Sequence, residues 1–136
     1  MSASAELQKA IFETLRDDED VGALAGDRIY DGPEPGAELP YITFGPSDYV
    51  EDDSAGIIAR IVSLQIDCWA GTNGRLRPAL EMADAVKAAL HKVDLSLPTY
   101  AVPLIVFNSV RAFVDADGVT GHGVVTIEAH VEEAYP

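Results

Sequence analysis

The chain has 136 residues, with 23 acidic side chains against nine basic ones and a formal net charge of −14. Such a surface repels nucleic acid and anionic membrane, because both are held through positive charge against phosphate. The sequence has no apolar run long enough to cross a bilayer as a helix, and its N-terminus lacks the basic start and apolar middle of a signal peptide, so a soluble protein made and kept at first in the cytoplasm is expected. The length fits one domain, 1–136, and 48% hydrophobic residues suffice for one core.

Residues 4–16 read as a short helix, with Ser4 as its cap and Glu6 favourable in the first turn. Leu7, Ile11 and Leu15 recur at intervals of four and Phe12 widens the stripe. Asp17-Asp18-Glu19-Asp20 opposes the helix dipole at that end, so a solvated loop is expected there. Val21–Gly26 reads as a helical turn with Val21 and Leu24 inward, and Arg28-Ile29-Tyr30 as a short strand. Residues 31–40 carry turn and loop chemistry. Pro40–Gly45 reads as a second short strand, and residues 46–56 as a flexible acidic loop with Tyr49 and Val50 in its middle.

A long strand, Ile57 to Trp69, follows, with Val62, Leu64, Ile66 and Cys68 on one face. After the turn 70–74, which offers Thr72 or Asn73 as a cap, a helix is expected over about 75–92. Leu76, Ala79, Leu80, Ala83, Val86 and Leu90 form its apolar stripe, Pro78 is tolerable near the first turn, and Arg77/Glu81 and Asp84/Lys87 are ordinary exposed pairs. The last third reads as a hairpin. One strand, Val102–Val114, has Val106, Asn108, Val110, Ala112 and Val114 on one side and Ile105, Phe107, Ser109, Arg111 and Phe113 on the other. The connection 115–121 leads to a strand from His122 to about Glu133 with Val125, Ile127, Ala129 and Val131 on one face. The fold class is α+β: a mainly antiparallel sheet of about four main strands with a long C-terminal hairpin, packed on one face by an N-terminal and a central helix.

The motifs offer little chemistry. Cys68, alone on an apolar strand face, reads as a buried inert thiol. His91, His122 and His130 have no metal-helix spacing and read as surface or edge residues. Asp115-x-Asp117-Gly118 lacks the third acid and closing glutamate of a calcium loop, and a turn explains it. Gly71-x-x-Gly74 is not a phosphate loop, and no Gly-x-Ser-x-Gly elbow occurs. No cofactor or metal site is expected.

The order of several weak motifs is more telling than any one of them. Gly26–Asp31 is followed by Leu39-Pro40-Tyr41-Ile42-Thr43-Phe44-Gly45, by Ile66-Asp67-Cys68-Trp69 with its glycine turn, and by the helix Ala83–Leu90. Arg111, Asp115-Ala116-Asp117-Gly118 and His122-Gly123 close the series. Over nearly the whole chain this resembles the tail-completion, or tail-terminator, proteins of long-tailed bacteriophages and the related gene transfer agents.

The resemblance implies a structural α+β protein with no catalytic residues. Its expected state is a six-membered ring of identical copies at the head-proximal end of the tail tube, where it stops tube polymerisation and meets the head connector. The expected partners are itself, the tail tube protein and the head–tail connector protein, with DNA only passing through the lumen and no membrane. The expected location is the bacterial host cytoplasm during assembly and then the particle's tail. For the contact surfaces the expectation falls on Tyr49 and Val50, on Arg60 and Arg111 as bases on strands, and on Asp115 and Asp117 at the hairpin tip. Arg60 and Arg111 could pair with acids of an adjacent copy or of their own. The alternatives are another neck component and, from a different class, a small metal-dependent enzyme using the carboxylates at 17–20 and 115–117.

Overall fold

The computed structural model describes residues 1–134. The elements in order are α1 (Ala3–Asp17), α2 (Glu19–Ala25), β1 (Ile29–Tyr30), β2 (Tyr41–Glu51), β3 (Ile58–Ala70), α3 (Arg77–Leu90), β4 (Ala101–Val114) and β5 (Gly121–Ala134). The strands form one sheet in the order β1-β2-β3-β5-β4, antiparallel except for the short β1–β2 pair. The α+β class, the long C-terminal hairpin and the packing by N-terminal and central helices agree with the reading of the sequence.

The core lies between the helices and one face of the sheet. Leu7, Ile11 and Leu15 of α1 and Met82, Val86 and Leu90 of α3 are buried against Val62, Leu64, Ile66 and Cys68 of β3 and Val125 and Ile127 of β5. Register explains the coincidence: Leu64 stands opposite Ile127, and Ile66 opposite Val125, so two period-2 stripes merge into one apolar surface.

Four local expectations are corrected. Ser2, not Ser4, caps α1, its hydroxyl accepting the Ala5 N–H at 3.1 Å. The acidic run 17–20 is no loop. Asp18 ends α1 and caps α2 by accepting the Val21 N–H at 3.0 Å, which puts Glu19 and Asp20 in the first turn of α2, where the dipole favours them. Helix α3 has no side-chain cap from Thr72 or Asn73; it starts at Arg77 with Pro78 in its first turn. Its buried stripe takes in Met82 and Ala89 and leaves Leu76 and Leu80 exposed.

Two strands also depart from expectation. β2 runs on through Pro46 to Glu51, paired with β3 as far as Glu51 opposite Arg60, so half of the expected loop is ladder. In β4 the register shifts between Phe107 and Ser109. This bulge inserts one residue and exchanges the faces beyond it. Ile105 and Phe107 therefore pack on the core together with Val110, while Ser109, Arg111 and Phe113 share the face opposite the helices.

Candidate assembly surfaces

The sheet face turned away from the core carries a row of rings, one from each strand. Tyr30, Tyr41, Trp69, His122 and Phe113 follow the spatial strand order, with centroid separations of 6.1, 6.1, 3.8 and 4.8 Å. Arg111 extends the row, its guanidinium 5.2 Å from the Phe113 centroid. A polar second row braces it. Trp69 Nε1 donates to Thr43 Oγ1 at 3.1 Å, Gln65 Nε2 donates to Asp67 Oδ1 at 3.0 Å, and His122 Nε2 lies 2.8 Å from the same oxygen. Burial and the nearby Asp115 and Tyr30 push the Tyr41 phenol above its ordinary pKa.

His122 is thus a largely covered ring on the outer face of a strand flanked on both sides, which corrects its expected edge role. Its side chain is 11% exposed and that of Asp67 9%. The cross-strand pairing of Trp69 with His122 creates this site, and it needs a register that no local pattern encodes. Among the described residues, no cluster of three or more His, Cys, Asp or Glu side chains could hold a metal ion.

The six expected contact residues divide between opposite ends of the sheet. At one end the β2–β3 hairpin forms an arm. Tyr49 stands opposite Val62 and so leans to the helix side, while Val50 stands opposite Ile61 and points to the other. Both are exposed, Val50 to 64%. Arg60 is committed within its own chain: its guanidinium sits 3.8 Å from the Tyr49 centroid, donates to Glu133 Oε1 at 2.5 Å and to Ser4 Oγ at 3.1 Å. The hydrogen bond to Glu133 holds the Arg60 pKa above its usual value.

At the other end lies the β4–β5 tip. Asp117 accepts the N–H groups of Val119 and Thr120, at 2.9 and 2.8 Å, and the Thr120 hydroxyl. These bonds, the hydroxyl's first, hold the Asp117 carboxyl below its usual range. Asp115 closes the turn by donating its N–H to the Thr120 carbonyl at 2.7 Å. The tip is tied to the β3–α3 turn through Gly74 N–H and the Val119 carbonyl, 2.8 Å apart. That turn and the start of α3 present Arg75, Leu76, Arg77 and Leu80, all exposed. Sequence reasoning misses the leucines as surface residues because they fall on helical spacing with the core stripe. No helix of the described residues is long and apolar enough to cross a membrane.

The two ends of the sheet thus present exposed apolar and charged side chains, and no metal-ligating cluster lies among the described residues. The family model for tail completion protein gp17 matches residues 9–132, and the chain belongs to that family. The family is structural rather than enzymatic. The fold is similar to that of a chain in the virion of a native gene transfer agent particle, with a TM-score of 0.87 and 24% identity over 96% of this chain and 98% of that one. It is also similar to bacteriophage SPP1 gp17, with a TM-score of 0.60 and 24% identity over 93% of this chain and 89% of that one. None of the curated proteins compared with the sequence matches it.

Proposed function

We propose that the chain works as a single domain that closes, in six copies, into a ring at the head-proximal end of a phage-like tail tube. There the ring stops tube polymerisation and presents a surface to the head–tail connector. Membership of the tail completion family over residues 9–132 carries this reading. The shape supports it physically. A ring of identical subunits needs two different patches on each copy, and the arm at 46–58 and the tip region at 71–80 and 115–120 are unlike surfaces at opposite ends of the sheet.

Assembly in the bacterial host cytoplasm and residence in the finished tail follow from this role. Part of the −14 charge faces the lumen, where like charge lets DNA slide without sticking. The test is electron microscopy of the concentrated chain, alone and mixed with assembled tail tube protein. Six-fold rings, or caps on one end of the tubes, are expected. Open filaments of the chain, or tubes that stay uncapped, would overturn the reading.

A further inference from the structure

The arm and the stretch that opens α3, within the tip region, carry opposite charge. From Pro46 to Gly56 every residue is exposed, yet residues 48–51 hold regular register with β3, so this is an ordered ribbon with solvent on both faces. It projects Tyr49 and Val50 to opposite sides and carries Asp48, Glu51, Asp52 and Asp53. Among the described residues neither Asp48 nor Glu51 is engaged in an ion pair or side-chain hydrogen bond. At the far end, Arg75 and Arg77, two of only nine bases, flank the exposed Leu76, with Leu80 one helical turn on. Neither arginine has an ion-pair partner among the described residues.

The two surfaces cannot meet within one molecule. β3 connects them and has 13 residues, which at ~3.3 Å per residue separates them by about 40 Å. Exposed apolar side chains flanked by opposite charge, Asp48 and Glu51 on the arm and Arg75 and Arg77 on the patch, are what a specific contact buries. We propose that the β2–β3 arm of one copy, led by Tyr49 and Val50, docks on the patch of Arg75, Leu76, Arg77 and Leu80 of the next. The inference rests on the ring reading above and names the surfaces that make the ring. Because the contact joins two different patches, it repeats head to tail and closes when the rotation per copy divides a full turn. Charge steers the arm to the patch, and burial of Val50 and Leu80 holds it there.

The test is a charge-reversal cycle on the full chain, read by sedimentation at high protein concentration, with circular dichroism to confirm folding. The double variants Arg75→Glu/Arg77→Glu and Asp48→Lys/Glu51→Lys are each expected to weaken self-association by about tenfold or more. All four changes together should restore it. A second measurement joins Val50→Cys with Leu80→Cys, and oxidation should yield a covalent ladder up to six copies; Cys68 is buried and stays silent. Reversed-charge variants that associate like the wild type, failure of the fourfold variant to recover, or absence of the ladder overturns this pairing. A wild type that forms rings under those conditions keeps the ring reading intact even then. A wild type that stays monomeric at high concentration and on tube ends removes both.

Discussion

The imidazole of His122 lies almost flat on the Trp69 ring, 3.8 Å between centroids at an interplanar angle of 16°, and holds the nearly buried Asp67 carboxylate through Nε2. This one side chain joins the aromatic row to the polar row on the exposed sheet face. Its ring packs between Trp69 and Phe113. His122→Ala removes the stack and leaves Asp67 with Gln65 as its remaining side-chain partner. Urea denaturation should show a loss of about 3 kcal/mol. A loss below about 1 kcal/mol would show that the pair contributes little to the fold.

Two glycines should respond to alanine with opposite signs. At Gly121 a Cβ would stand 2.5 Å from the Ala70 carbonyl oxygen and 3.1 Å from that of Arg75. Both neighbours are backbone, so Gly121→Ala should lower stability by about 2–3 kcal/mol. Gly22 lies inside α2, where an added Cβ would meet no heavy atom within 4 Å. Gly22→Ala should raise stability by about 0.5–1 kcal/mol through helix propensity and a less flexible unfolded chain. Thermal unfolding of both variants checks the pair: a Gly121→Ala chain as stable as the wild type would contradict the close approach of the β3–α3 turn to β5, and a destabilised Gly22→Ala chain would contradict the open space beside α2.

The hairpin tip should loosen in acid. Because the folded state holds the Asp117 carboxyl below its ordinary value of 3.8, its contribution is complete above that value and is lost as pH falls through the lower folded value. Amide resonances of Val119 and Thr120, which donate to this carboxylate, should titrate with a midpoint under 3.8. Asp117→Asn should abolish that titration. A midpoint at or above 3.8 would contradict the turn geometry.

Cys68 is fully buried on the core face of β3, and burial, with Asp67 beside it, pushes its thiol far above the usual range. Thiol reagents should therefore label it only as fast as the protein opens, with labelling rising along the denaturation curve. Rapid labelling of the native chain would contradict this packing.

How far the fold is readable from the sequence depends on whether burial is one-sided. β3 and β5 have one face in the core, so alternation at Val62, Leu64 and Ile66 and at Val125, Ile127 and Ala129 exposes them at once. The segment 46–51 has neither face buried, so its strand leaves no alternation to find and it reads as a loop. Phe107 and Ser109 mislead for another reason: the bulge between them breaks the period of two on which the face assignment depends. In α3, Leu76 and Leu80 have the spacing of core residues, and only the packing shows that Met82 and Ala89 take that role. The His122–Asp67 pair joins residues 55 apart in sequence and cannot be seen without register. Arg60 and Arg111 are legible as strand residues and Asp115 and Asp117 as a turn, whereas Tyr49 and Val50 lie on a strand where a loop is expected. Which end of the sheet each of the six occupies emerges only with the topology.

The most direct test of an assembly role is the length of tail tubes formed with and without the chain, measured by electron microscopy from otherwise identical mixtures. With the chain present, tubes should stop growing and carry a six-fold ring at one end only; without it they should extend to varied lengths. The same length distribution in both mixtures, with no added density at either end, would contradict the central claim.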